Sequence, residues 1–173
     1  QKEGITVSTH SDNQQIRISI FASVYNSDQF INQYLEGITR QTVFKKHCEL
    51  VLINPNSPGN EEIVIRQYME RYSNIVYKRL DHDPGIYDRW NEAIRMCRGE
   101  CVTNANLDDR KAPNSIERHF EILSKSPGID LVYADSYIMH QPNKRWEDVR
   151  EDTQRYDFEE FSIEAMLRSN PPH

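Results

Sequence analysis

The sequence predicts an α/β protein with a mainly parallel sheet flanked by helices on both faces. Three observations carry this. From residue 16 onward, apolar runs of strand length alternate with amphipathic stretches of helix length. One of those runs, ELVLIN at 49–54, is almost continuously apolar, as in a parallel strand covered on both sides. Polar clusters follow the first, second and fourth strands, at the carboxyl edge where open α/β sheets bind ligands.

The elements follow in order. Residues 1–15 are polar and aperiodic and read as a flexible leader, with one domain expected over 16–173. IRISIFASV at 16–24 is the first strand. Ser27 is a plausible N-cap for the next helix, whose Phe30, Ile31, Tyr34, Leu35 and Ile38 share one stripe. After the strand at 49–54, PNSPGN is a turn by composition. EEIVIRQYMERY then carries acids in its first helical turn, where the helix dipole favours them. NIVYKRL is a third strand. GIYDRWNEAIRMC is a helix with Ile86, Trp90, Ala93, Ile94 and Cys97 on one side, and ECVTNA a fourth strand. SIERHFEIL is a further helix, IDLVYADSYIM a fifth strand, and DFEEFSIEAMLR a last helix.

Length and charge narrow the function classes. The 173 residues suffice for one domain with a real core. A net charge of −6 argues against nucleic acid or an anionic membrane as partner, though not against a small anion held through a metal. No apolar run has the length of a transmembrane segment and no signal-peptide pattern occurs. Cys48, Cys97 and Cys101 form neither a CxxC motif nor an even disulfide set, so they read as reduced thiols. The chain lacks GxGxxG after a strand, GxxxxGK[ST] and GxSxG, which sets aside dinucleotide dehydrogenases, P-loop NTPases and α/β-hydrolases.

The cluster NANLDDR poses the sharpest chemical question. Asp108 and Asp109 are adjacent carboxylates where a strand should stop. Like charges in a restricted space are relieved by a shared proton or a cation. A hard divalent ion takes one or two carboxylates and fills its other positions with water and phosphate oxygens. A solvated turn before a helix explains the same pair. Tyr25, with Asn26 beside it, ends the first strand, where an aromatic ring can stack on a base or stay partly in the core. Asn54, Asn56 and Ser57 in NPNSPGN can hydrogen-bond a base or ribose, or simply build the loop.

Taken together, ISIFASVYN, ITRQT, ELVLINPNS, GIYDRWNEAI and RGECVTNANLDDRKAP resemble the family 2 glycosyltransferases, whose Rossmann-like domain has the GT-A fold. The resemblance runs from about Arg17 to the end of the chain. It implies metal-dependent transfer of a sugar from a nucleotide-sugar donor to an acceptor hydroxyl, with inversion and with Mn²⁺ or Mg²⁺ as cofactor. The acceptor would be a glycan, a lipid-linked sugar or a protein. By position, Asp108 falls on the metal-binding acid of the DxD-type motif, with Asn106 in place of its first Asp and Asp109 matching the acid that often follows. Ser23 and Tyr25 fall where the family contacts ribose and base. Asn91 lies on the family's helix Asn, with Asp88 and Arg89 close to the sugar and diphosphate. Pro55 stands where the family supplies an Asp to the base, so Asn54 or Asn56 is left to read it. The family's catalytic base belongs to the acceptor-binding half, expected beyond His173, so no residue is named for it. The compartment implied is the cytoplasm, or the inner membrane face. Two other readings stand beside this one. A nucleotidyltransferase is disfavoured because SVYNSDQF lacks a Gly- and Arg/Lys-rich phosphate loop. The other is a non-catalytic nucleotide-binding or scaffolding domain of the same fold.

Overall fold

The computed structural model describes residues 15–139, 145–148, 154–157 and 160–168. Four strands form one parallel sheet: β1 (Ile18–Ser23), β2 (Cys48–Asn54), β3 (Ile75–Arg79) and β4 (Cys101–Asn104), in the order β3-β2-β1-β4. Between and after them run α1 (Asp28–Thr39), the single turn α2 (Phe44–His47), α3 (Glu61–Met69), α4 (Ile86–Met96) and α5 (Ser115–Lys125). The expected mainly parallel sheet flanked by helices is therefore present.

Side-chain alternation explains the layers. Ile18, Ile20 and Ala22 of β1, with Leu50 and Leu52 of β2, point to one face and pack with Ile31, Leu35 and Ile38 of α1, Phe44 of α2, Ile65 of α3 and Ile116 of α5. Phe21, Val51 and Ile53 point to the other face and meet Ala93 and Trp90 of α4. Phe21 and Trp90 pack edge to face at 6.2 Å. All seven residues of β2 are buried, as the apolar run requires. Two buried residues of β2 are polar, Asn54 at its carboxyl end and, at its amino end, the carboxylate Glu49. It accepts from the Ser19 hydroxyl at 2.6 Å, the Arg98 amide at 2.6 Å and the Arg98 guanidinium at 2.8 Å, which compensates its desolvation.

Four expectations are corrected. The fifth strand does not join the main sheet. Of 129–139 only β5 (Ser136–Ile138) is extended in a ladder, antiparallel to β6 (Gln154–Tyr156) in a separate two-stranded ribbon. Leu131 is 71% exposed, so its apolar pattern marks surface there, not a buried strand. The last helix, α6, covers only Ile163–Arg168, started by Ser162, whose Oγ accepts the Ala165 amide at 3.0 Å. Ser27 precedes α1 without capping it through its side chain. Its backbone oxygen takes the Phe30 and Ile31 amides, while its hydroxyl turns to Glu61. The stripe on α4 is narrower than expected, since Ile86 and Ile94 are more than two-fifths exposed. The expected leader at 1–15 lies outside the described residues except for Gln15.

Candidate active site

Sheet-like hydrogen bonds continue past the strand ends and hold the loops side by side. The Val24 amide donates to Ile53 O at 2.7 Å, the Leu80 amide to Asn54 O at 2.7 Å and the Ala105 amide to Phe21 O at 2.9 Å. The loops after β1, β2, β3 and β4 thus leave from one edge, the carboxyl edge of a parallel sheet.

After β1, the Ser23 hydroxyl is buried without a hydrogen-bond partner among the described residues. Such an orphaned polar atom is uncommon in a folded protein. Tyr25 follows, 46% exposed, with the Arg89 guanidinium 5.9 Å from its ring centroid. Asn26 takes φ 49°, a left-handed conformation that Asn adopts more readily than most residues.

After β2, Asn54 and Asn56 part ways. Asn54 is fully buried, its Oδ1 accepting the Ser57 amide at 2.7 Å and its Nδ2 donating to the Tyr77 hydroxyl at 3.0 Å. Both ends of the amide build the turn, so Asn54 presents nothing to a ligand. The Tyr77 hydroxyl, pushed up to about 12 by burial and by the neighbouring Glu62 carboxylate, donates to that carboxylate at 3.1 Å. Asn56 is exposed at φ 59°. Its Oδ1 accepts from the Arg79 guanidinium at 2.9 Å, and the same nitrogen reaches Ser57 O at 2.9 Å.

At the start of α4, Gly85 sits at φ 92°, where a side chain is disfavoured, and its amide donates to Asp83 Oδ1 at 2.9 Å. Asp83 Oδ2 also takes Arg89 Nη1 at 3.4 Å, while Arg89 Nε is buried without a partner among the described residues. Asp88 and Asn91 are exposed, three residues apart on one helical face.

After β4, the Asn106 side-chain Nδ2 donates to Asp109 Oδ2 at 3.0 Å, and the Asp109 backbone amide to Asn106 O at 3.2 Å. Asp108 is exposed, and its carboxylate accepts no hydrogen bond among the described residues. Arg110 lies behind the pair, donating to Leu107 O at 2.9 Å and Asp109 O at 2.8 Å. Burial lowers its pKa and the two Asp charges oppose that. The turn is anchored to the end of α1: Gln41 Nε2 donates to Ala112 O at 2.8 Å and the Thr42 amide to Pro113 O at 3.0 Å.

No group of three or more His, Cys, Asp or Glu side chains able to hold a metal occurs among the described residues. What the turn offers is oxygen from Asp108 and Asp109 alone among carboxylates. That donor set fits a hard ion completed by phosphate oxygens and water, and does not fit a self-sufficient protein cage.

The structure thus brings Ser23 at the end of β1, the loops bearing Tyr25, Asn56, Asn106, Asp108 and Asp109, and the start of α4 with Asp88, Arg89 and Asn91 to one edge, and turns Asn54 inward. Sequence reasoning misses Arg79 and Glu61, whose roles depend on neighbours far along the chain, and Asp83, whose partners Gly85 and Arg89 are local but follow no periodic pattern. The Gln-Thr at 41–42 belongs to the resemblance, but its bracing of the turn after β4 is visible only in the structure.

The fold is that of the GT-A glycosyltransferases. S. aureus TarS in complex with UDP-GlcNAc superposes with a TM-score of 0.60 at 20% identity, covering 64% of this chain and 32% of that one. The mannosyltransferase PcManGT from Pyrobaculum calidifontis, in complex with GDP-Man and Mn²⁺, superposes with a TM-score of 0.61 at 19% identity, covering 74% and 37%. The chain belongs to glycosyl transferase family 2, whose profile matches residues 19–169. An uncharacterised glycosyltransferase of Methanocaldococcus jannaschii is 26% identical over 125 residues, 72% of this chain and 43% of the relative. The chain therefore spans under half the length of that relative. No helix among the described residues is long and apolar enough to cross a membrane.

Proposed function

We propose that the carboxyl edge of this sheet binds a nucleotide-sugar donor, and that the protein transfers the sugar to an acceptor hydroxyl with inversion, with Mn²⁺ or Mg²⁺ bound. The single observation that supports this best is the convergence on that edge of an exposed aromatic ring, an orphaned hydroxyl and a turn bearing an uncommitted carboxylate.

The roles follow from chemistry. Tyr25 stacks on the base, and its exposed face is free to do so. The Ser23 hydroxyl and the Asn56 amide nitrogen meet ribose or base. The Arg89 guanidinium, with its unpartnered Nε, faces negative charge on the donor, and Asp88 and Asn91 orient the sugar. Asp108, aided by Asp109 and Asn106, would hold the divalent ion, which would supply electrostatic stabilisation of the diphosphate. The acceptor oxygen attacks the anomeric carbon as the bond to the diphosphate breaks, and a base removes the hydroxyl proton. No residue here is assigned as that base. Asp135 is ion-paired with Arg155 at 2.8 Å beside the β5–β6 ribbon. The acceptor proposed is a glycan, lipid-linked sugar or protein, and the place of action the cytoplasm or its membrane face.

One observation favours a second reading, a non-catalytic domain of the same fold: Asn54-Pro55-Asn56 brings no carboxylate to the base. Calorimetric titration of UDP, GDP and CDP, with and without Mn²⁺, separates the two. The donor reading expects one nucleotide to bind in the presence of Mn²⁺, and Asp108→Ala to raise its Kd about 10-fold or more, ~1.4 kcal/mol. Binding that ignores both metal and substitution would favour the non-catalytic domain.

A further inference from the structure

We infer that Glu61 is a positioning residue for the donor site: its buried carboxylate ties together the two loops that carry Tyr25 and Asn56, and so sets nucleotide affinity. This rests on the donor reading above. Glu61 opens α3 and is fully buried. Its Oε1 accepts the Ser27 amide at 2.6 Å, the Ser27 hydroxyl at 3.2 Å and the Ser57 hydroxyl at 2.9 Å. Ser57 Oγ in turn accepts the Asn26 amide at 2.9 Å and the Gly59 amide at 3.3 Å. One carboxylate thus joins the loop after β1 to the loop after β2. Each loop contains an Asn held in the left-handed region, Asn26 and Asn56, one residue from the groups proposed to meet the nucleotide or at them.

A second observation points the same way. The chain leaves room for this carboxylate at Gly59, where an added Cβ would lie 2.6 Å from Glu61 Oε2 and 2.8 Å from Asp28 Oδ2. Asp28 makes a parallel tie, its Oδ1 accepting the Asn60 amide at 2.8 Å. Burial favours the neutral acid at Glu61, but the hydrogen bonds from Ser27 and Ser57 outweigh it and hold the pKa below the ordinary glutamate range. The tie is therefore a charge-assisted one at neutral pH.

The control is built into the fold. Glu49 is an equally buried carboxylate at the opposite edge of the same sheet, remote from the donor loops. Nucleotide titration with Mn²⁺ at a temperature where all variants are folded by circular dichroism compares Glu61→Ala, Glu61→Gln and Glu49→Ala. The expected result is a Kd about 10-fold higher in Glu61→Ala, recovery to within about 3-fold in Glu61→Gln, which keeps an acceptor oxygen, and an unchanged Kd in Glu49→Ala despite a lowered Tm. An unchanged Kd in Glu61→Ala, or an equal rise in Glu49→Ala, overturns the inference. If Glu61→Ala does not fold, Ser57→Ala decides: a Kd raised about 3-fold or more supports the tie and an unchanged Kd overturns it. Amide hydrogen exchange on the ligand-free protein reads the tie without any nucleotide. Exchange at Asn26 and Ser27 about 10-fold faster in Glu61→Ala, or in Ser57→Ala, supports it, and unchanged exchange overturns it. A wild-type protein that binds none of the nucleotides sinks the donor reading, and with it the link to affinity, while the exchange result still judges the tie.

Discussion

Tyr25 follows β1 and Asn54 ends the neighbouring strand β2, and the two show what a single residue type can and cannot announce. Tyr25 is 46% exposed at the edge of the sheet, with one flank under Arg89. Stacking of a base on an aromatic ring contributes about 1–3 kcal/mol by alanine substitution. Tyr25→Ala should therefore raise the nucleotide Kd by about 5- to 150-fold, and Tyr25→Phe should leave it within about 3-fold, both read by calorimetry. Equal losses in the two variants would assign the role to the hydroxyl and not to the ring. Tyr25 was legible because a ring at a strand end has few uses. Asn54 was not, because the same amide serves a ligand or an Asx-type turn, and only the partners Ser57 and Tyr77 decide which. Glu61 was hidden for the same reason. Acids in a first helical turn are ordinarily solvated, and nothing local marks this one as bonded 34 residues back to Ser27.

At the scale of elements, the legible ones are those whose burial is uniform. β2 is buried at all seven positions, and its apolar run announces it. Leu52 at its centre is fully buried within the larger core cluster. Leu52→Ala should cost about 2–5 kcal/mol in urea or guanidinium unfolding, through lost transfer energy and the cavity left behind. A cost below about 1 kcal/mol would contradict the burial of that face of the sheet. The segment 129–139 shows the converse. Its β-forming composition is real, but a strand needs a partner, and alternation names no partner. Here the partner is Gln154–Tyr156, antiparallel and outside the main sheet. The turn α2 escaped because four residues hold too little periodicity to be read.

For the whole molecule, the parallel order β3-β2-β1-β4 is the consequence that matters most. It gathers residues scattered from Ser23 to Asp109 onto one edge, while the compensated carboxylate Glu49 lies at the other. The family match and the GT-A likeness agree with that architecture. On the donor reading, a metal and a nucleotide meet at this edge. Paramagnetic broadening of backbone NMR signals, on adding Mn²⁺ to the protein saturated with the nucleotide that binds it, tests this directly. The donor account predicts broadening centred on Asp108 and its neighbours 104–110, extending to 23–27 and 54–57, and lost from that region in Asp108→Ala. Broadening centred elsewhere, or unchanged by that substitution, would contradict it.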